Sequence, residues 1–412
     1  MRIAIQTLGT RGDVQPYVAL ARGLLRRGHE VQLAAPEQFE SMVTRHGIDF
    51  WPLPGEFLAL LDTPEGKAAI AGSRGFGAGL KLLKHVRPLM RRLLDAESAA
   101  IGRFGPDVII HHPKSIASPD IAARIGRPAV LASPLPGFTP TTAFPSPLLP
   151  FANLGPLNRL SHLLATRGPG LLFRKELARW RAQSLGVPSG HRPGAPAVTL
   201  YAYSPAVVPR PTDWGGDVLV TGYWFLDEDD WQLPTDLRAF LAAGDKPIYV
   251  GFGSMPGLAP GKLAADVIEA LARTGKRGVL ALGGGALEVP SPPAHVHVMT
   301  AAPHDRLLPQ MSAALHHGGA GTTAASLRAG LPTIICPFFG DQPFWSRRVA
   351  DLGAGPAPLD RESLTVAALA AAFTATDAPG MRQTATAMGQ AIGAEHGLDM
   401  AMKAIEALVP RA

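Results

Sequence analysis

Cysteine is nearly absent from this 412-residue chain, where Cys336 stands alone. No intrachain disulfide can form, and no cysteine cluster is left to hold zinc. Charge is also sparse: Asp, Glu, Lys and Arg make up 17%, against the roughly 25% usual in soluble domains. Lys and Arg outnumber Asp and Glu by 39 to 33, a net +6. They are scattered, without the basic run and interleaved aromatics that track a phosphate backbone, so nucleic acid is not an expected partner. No apolar stretch reaches the ~18 residues that a spanning helix needs. The opening Met1-Arg2-Ile3-Ala4-Ile5 enters a strand-like run with none of the sections of a secretion signal. A cytoplasmic protein is expected, with no integral membrane segment.

What is present is apolar material for more than one core, since hydrophobic residues make up 46% and the length suits roughly two to four folding units. Arg2–Leu8 is β-rich, Val14–Arg27 has helical spacing, and Glu30–Ala35 and Ile48–Leu53 read as further strands. Asp107–His112 (strand), Ile116–Ile125 (helix) and Pro128–Ser133 (strand) continue the rhythm. A second cycle has short apolar runs at Ile248–Gly253, Val279–Leu282, Val296–Met299, Ala313–His316 and Thr333–Phe338. Helical spacing between them covers Lys262–Arg273, Thr322–Ala329 and Phe344–Asp351. This alternation predicts an α/β protein with two tandem, doubly wound, Rossmann-like parallel-sheet domains. We place them at residues 1–225 and 226–385, with a helix in 386–412 packing back on the first. Pro205–Pro234, with its acidic cluster Asp227-Glu228-Asp229-Asp230, is expected to be an exposed connection. The irregular, proline-rich stretch Ser133–Pro156 is a candidate acceptor-recognition loop.

Two glycine-rich turns follow predicted strands and open helices, where unpaired N–H groups and the helix dipole favour an anion. His316-His317-Gly318-Gly319-Ala320-Gly321-Thr322-Thr323 adds a ring nitrogen and hydroxyls, and suits phosphate. Gly9-Thr10-Arg11-Gly12-Asp13 instead places a carboxylate at the helix start, which fits a general base or a helix cap. Successive residues at a strand end face opposite ways, so only one of His316 and His317 enters a site. Dinucleotide binding fails because Ala34-Ala35-Pro36 replaces the acidic residue that holds the ribose. The serine-nucleophile elbow fails at Pro256, two residues after Ser254. Asp227-Glu228-Asp229 reads as a solvated acidic turn rather than a metal site. Asp341-Gln342 combines acceptors and donors suited to vicinal hydroxyls, with a helix cap as the alternative.

The run from His317 through Gly330-Leu331-Pro332 to Pro337-Phe338-Phe339-Gly340-Asp341-Gln342 resembles the donor signature of the inverting, nucleotide-sugar-dependent glycosyltransferases of GT-B architecture. Gly9–Val14 resembles their bacterial antibiotic branch and sterol glucosyltransferases. Ala325-Ser326-Leu327-Arg328-Ala329-Gly330 and Pro337–Trp345 resemble most the sterol 3β-glucosyltransferases. The resemblance runs the whole length and implies two domains facing a cleft. It implies donor contacts from Gly253, Ser254, Ala302, His317, Gly319, Gly321, Thr322, Asp341 and Gln342, with Asp13 as catalytic base. No metal or other cofactor is implied beyond the nucleotide-sugar co-substrate, with UDP-glucose favoured and a TDP-sugar as the alternative.

Two positions depart from plant relatives. Ala301-Ala302-Pro303-His304 replaces the tryptophan that stacks the base, and Ala325 replaces a ribose-binding glutamate. Where those relatives support a catalytic histidine with an aspartate, this chain has His111 and His112; one of them orients Asp13, or both are buried strand-end residues. The expected acceptor is an apolar small molecule or lipid, such as a sterol, polyketide or flavonoid, met by His112, Phe138 and Phe144. Leu83, Val86, Met90, Leu93 and Leu94 form one helical face, with Lys81, Lys84, Arg91 and Arg92 largely opposite. That pattern suits peripheral contact at the inner membrane face or an ordinary surface helix that Pro88 weakens. A monomer or homodimer is expected. The rival functions are a catalytically silent helper of the same fold and a sugar-nucleotide epimerase.

Overall fold

The computed structural model describes residues 1–56, 76–149, 151–188, 190–228, 230–253, 255, 259–283 and 285–409, without the side chains of 76–88, 169, 170 and 172. The chain forms two compact units. One comprises Met1–Pro205, Pro209–Leu226 and His396–Ala412; the other comprises Ala206–Val208 and Asp227–Glu395.

The first unit holds a seven-stranded parallel sheet: β1 (Arg2–Gln6), β2 (Glu30–Pro36), β3 (Asp49–Leu53), β4 (Val108–His111), β5 (Ala129–Ser133), β6 (Val198–Tyr201) and β7 (Val218–Val220). Their order is β3-β2-β1-β4-β5-β6-β7. Both faces are covered, which is why these strands read as continuous apolar runs. Ile3 and Ile5 point into one core cluster with Val14, Val18 and Leu24, while Ala4 points into another with Leu94, Ile101 and Trp180. The helices that matter to the site are α1 (Arg11–Arg26), α2 (Phe76–Phe104), α3 (Ser118–Ile125) and α4 (Asn158–Leu172).

Three expectations change here. Pro205–Pro234 is no exposed connection: it contains β7 and buries Val207, Val208, Trp214, Tyr223, Trp224 and Leu226. Three of its aromatic residues pack inward, and Arg210 ties it together by donating to the carbonyls of Val218 and Trp214. Pro88, expected to weaken a helix here, lies inside α2, which runs through it and is held beyond it by core residues Met90, Leu93, Leu94 and Ile101. The apolar face that suggested a bilayer is therefore interior from Met90 onward; Lys81, Leu83, Lys84 and Val86 lie outside the described side chains.

The second unit holds β8 (Ile248–Gly251), β9 (Gly278–Ala281), β10 (Val296–Met299), β11 (Ala313–His316) and β12 (Thr333–Ile335), in the order β10-β9-β8-β11-β12. β8 and β12 end earlier than their apolar runs; just beyond β8, Gly253 takes a left-handed φ of 60° that leaves the strand. Two helices of this unit carry the site, α5 (Ala320–Arg328) and α6 (Gln342–Asp351), and α7 (Gly397–Glu406) returns to the first unit.

Each sheet winds outward from a central strand and then resumes on that strand's other side, at β1/β4 and at β8/β11. In open parallel sheets the loops leaving the carboxyl ends of strands at this reversal diverge and open a crevice. Both glycine-rich turns stand at such a point.

Candidate active site

In the first unit, the candidate cluster is built on β1 and β4. Parallel pairing aligns Gln6 with His111, which brings the turn after β1 beside the turn after β4 although a hundred residues separate them. α1 begins at once, so Asp13 occupies its first turn, where Thr10 N–H donates to Oδ2 at 2.8 Å. The Thr7 hydroxyl holds the Asp13 carbonyl at 2.7 Å. His112, 2% exposed, places Nε2 at 3.3 Å from Asp13 Oδ1. The Lys114 backbone N–H donates to His112 Nδ1 at 3.1 Å. That bond leaves the ring proton on Nε2, facing the carboxylate. Lys114 Nζ lies 2.9 Å from the same Oδ1.

Burial by itself would raise the Asp13 pKa, but the Lys114 ammonium and the His112 hydrogen bond prevail and hold it below the usual carboxylate range. Burial lowers the pKa of His112, and that of His111 to about 4, so both rings are neutral near pH 7. Gly9 makes the approach feasible. Its φ is 128°, and a Cβ there would lie 2.6 Å from Asp13 Cγ and 2.7 Å from Lys114 Nζ.

In the second unit, a separate cluster is built on β8 and β11. His316 turns into the core, fully buried, and its Nδ1 accepts the Gly318 N–H at 3.0 Å. His317 is the histidine that leaves the strand toward the turn. Its Nδ1, like Nε2 of His316, is buried with no hydrogen-bond partner. Burial lowers its pKa to about 4, against a hydrogen bond to the Gly251 backbone. A Cβ on Gly319 would fall 2.7 Å from His317 Nε2, and on Gly318 3.5 Å from the Gln342 carbonyl. α5 starts after Gly319 with no side-chain cap, so its first N–H groups, near Gly321 and Thr322, remain available to an anion.

Asp341 stands at the N-cap of α6, where its Oδ2 accepts the Trp345 indole N–H at 2.8 Å and its side chain makes no capping bond. Gln342 is 4% exposed. Its Oε1 accepts the N–H groups of Phe338 and Phe339 at 2.7 and 3.2 Å, so it shapes the turn before α6. Gly253 follows β8, with its Cα face 3.8 Å from His317 Cε1 by the position of an added Cβ; Ser254 lies outside the described residues. Ala302 is half-buried in the core cluster with Tyr249, beside His304, whose Nε2 is 3.3 Å from the Tyr249 hydroxyl. Asp227 forms a bidentate pair with Arg328 at 2.6 and 2.8 Å, which accounts for it without a metal; Asp229 lies outside the described residues.

Phe138 and Phe144 are half-buried in a loop that is pinned at several points. Asp213 accepts from Thr141 and Thr142, Phe138 N–H donates to Tyr201, and His162 Nε2 lies 3.0 Å from the Phe144 carbonyl.

Comparison with known proteins matches residues 3–135 to the glycosyltransferase family 28 N-terminal domain. Residues 266–405 match the C-terminal domain of erythromycin biosynthesis protein CIII-like proteins. The sterol 3-beta-glucosyltransferase UGT80A2 of Arabidopsis thaliana is 34% identical over 428 residues, covering all of this chain. The chain belongs to the glycosyltransferases. A second relative of this glycosyltransferase chain, the sterol 3-beta-glucosyltransferase ATG26 of Gibberella zeae, is 36% identical over 98% of it. The chain spans 66% of the plant protein and 29% of the fungal one. Among solved structures, the calicheamicin glycosyltransferase CalG4 superposes with a TM-score of 0.76 at 21% identity, covering 100% of this chain and 98% of that one. SnogD of Streptomyces nogalater gives 0.69 at 25%, covering 99% and 100%. The fold is that of GT-B glycosyltransferases.

Sequence reasoning missed Lys114. Nothing in its neighbourhood marks it; only the pairing of β1 with β4 brings it to Asp13. Gly9 was a signal of sorts, since a glycine four residues before the acid leaves room for something to press on it.

Proposed function

We propose that this glycosyltransferase moves a hexose, glucose from UDP-glucose before a TDP-sugar, onto a hydroxyl of an apolar acceptor of the sterol or polyketide type. Supporting the reading is the Asp13 carboxylate at the reversal of the first sheet, within hydrogen-bonding reach of a neutral His112 whose proton faces it. The acceptor oxygen attacks the anomeric carbon from the face opposite the diphosphate, inverting it. As the new C–O bond forms, the bond to diphosphate breaks and its electrons leave with the phosphate oxygen. Asp13 is a weak base toward a neutral alcohol, so it takes the proton late, once the attacking oxygen has gained positive character.

The leaving diphosphate falls to His317 and the uncapped start of α5, fixed dipoles that meet developing negative charge without a metal. Gly253 would approach the same group, with Gly319, Gly321 and Thr322 at the helix start. Asp341 reads the sugar hydroxyls, and Gln342 acts by holding the turn that carries them.

An acceptor dissolved in membrane would be met at the bilayer surface. Leu157, Leu160, Leu164 and Leu171, on and just before α4, are 49–69% exposed, and residues 121–175 contain no acidic side chain but do contain Arg159, Arg167, Arg174 and Lys175. An apolar stripe with cations in the same stretch of chain suits an anionic lipid surface.

Incubation with UDP-glucose and TDP-glucose against sterol, flavonoid and macrolide panels should yield a glycoside by mass. Asp13→Ala should abolish transfer and spare nucleotide affinity, whereas His317→Ala should weaken both. Nucleotide binding with no product from any acceptor would favour a silent helper protein; full activity of Asp13→Ala would refute the base.

A further inference from the structure

Asp13 is a strange base in one respect: a cation already occupies it. Lys114 Nζ sits 2.9 Å from Oδ1, the oxygen that also faces His112 Nε2, while Thr10 takes Oδ2 through its N–H and its hydroxyl, at 2.8 and 3.2 Å. The two partners of Oδ1 differ in kind. His112 is buried and locked by its Nδ1 hydrogen bond. Lys114 is 54% exposed at its side chain, on a flexible four-carbon stem, against 15% for Asp13. A carboxylate gains little from a proton while an ammonium remains in contact, because the pair's attraction is lost on protonation.

We infer that Lys114 is a latch on the base: its ammonium occupies Asp13 until an acceptor hydroxyl takes its place, which keeps the carboxylate from activating water against the bound donor. Lys114 is a positioning residue in this role, and the inference rests on the reading of Asp13 as base. The reaction it suppresses is hydrolysis of the nucleotide sugar. Water oxygen bonds to the anomeric carbon, the carbon–diphosphate bond breaks, and the water proton passes to Asp13. A water molecule is too small to displace the ammonium and shield the site; an apolar acceptor brings enough surface to do both.

The other groups facing Asp13 cannot substitute. His112 is a neutral donor. Tyr17, on the same helix, donates its hydroxyl to the Ala132 carbonyl and has its own pKa raised by burial and by Asp13. Arg11 turns its Nε to Gln15 at 3.2 Å, and Thr7 and Thr10 carry no charge.

The test compares Lys114→Met, Lys114→Arg and the wild type with UDP-glucose. In Lys114→Met, acceptor-independent release of glucose should rise about 100-fold or more, the scale a freed general base supplies. The acid limb of the kcat/KM profile for transfer, which reports the enzyme before the acceptor arrives, should move up by about 1–3 pH units, while Lys114→Arg restores both. The 13C titration of the Asp13 carboxyl, read without any acceptor, should move up in Lys114→Met.

Unchanged hydrolysis, or an Asp13 titration that stays in place, overturns the latch. A raised acceptor KM without added hydrolysis also overturns it and makes Lys114 an acceptor ligand. Full transfer by Asp13→Asn would instead bring down the base reading itself. An inactive Asp13→Asn beside an unaltered Lys114→Met would bring down the latch alone.

Discussion

At Gly9 the missing side chain does more than most that are present. A β-carbon there would press on Asp13 and Lys114 while the backbone holds φ at 128°, a conformation that disfavours any L side chain. Gly9→Ala is expected to lower kcat by about 100-fold, the scale of a roughly 1 Å misplacement, with nucleotide affinity intact; isothermal titration beside steady-state kinetics would show the split.

A second residue-scale prediction concerns Glu97, on α2 and fully buried. It accepts from Ser115 and from Ser118 at 3.2 Å, and so braces the turn that carries His112 and Lys114. Burial raises its pKa from 4.5 to about 7, with the serine hydrogen bonds opposing. Between those values the unfolded chain has lost the proton that the folded chain keeps. Its contribution to stability is therefore full below about 4.5 and declines as pH rises to about 7. Glu97→Gln should flatten that part of the stability curve and gain on the wild type as pH rises through this window, measured by urea melts from pH 4.5 to 8. A wild-type slope that persists in the variant would refute the assignment.

At the scale of elements, two helices show how alike sequence patterns part company. The basic amphipathic pattern of residues 81–94 ends in the interior, because α2 packs Met90, Leu93 and Leu94 into a core cluster. The leucines of α4 do the opposite, with Leu164 63% exposed. Helical periodicity identifies an apolar stripe but not what covers it. If the stripe meets lipid, Leu160→Glu/Leu164→Glu should lose binding to vesicles rich in phosphatidylserine while its thermal midpoint stays near the wild type, since exposed side chains contribute little to folding. Equal vesicle sedimentation of variant and wild type would refute a lipid-facing α4. α5 carries the converse lesson. Gly318-Gly319 and the helix start after them are local features, so the expectation of an anion there could be read from the sequence, whereas the contacts of Gln342 Oε1 with the turn at Phe338 and Phe339 needed the fold.

At the scale of the whole chain, the last helix belongs to the first unit. In α7, Ala401, Met402 and Ile405 join the cluster of β1 and α1. Arg27 pairs with Asp399 and, at 2.8 Å, with Glu406, which also meets His29 Nε2 at 2.9 Å. Gly397 fits against the backbone at Tyr223, where a Cβ would lie 2.6 Å from the carbonyl. Ile405→Ala should destabilise the first unit by about 2–5 kcal/mol, the usual cost of emptying a fully buried aliphatic site. Calorimetry should show the transition of the first unit fall while that of the second unit stays; an unshifted transition would place the helix outside the cooperative unit.

Composition, periodicity and the two glycine-rich turns determined the α/β class, the strand-to-helix turns and the family, because each is written in residues close together in the chain. The tertiary structure alone decided what stands beside Asp13 and which leucines face outward. Parallel pairing joins strands far apart in sequence, and the burial of a face depends on a neighbour that local pattern cannot name.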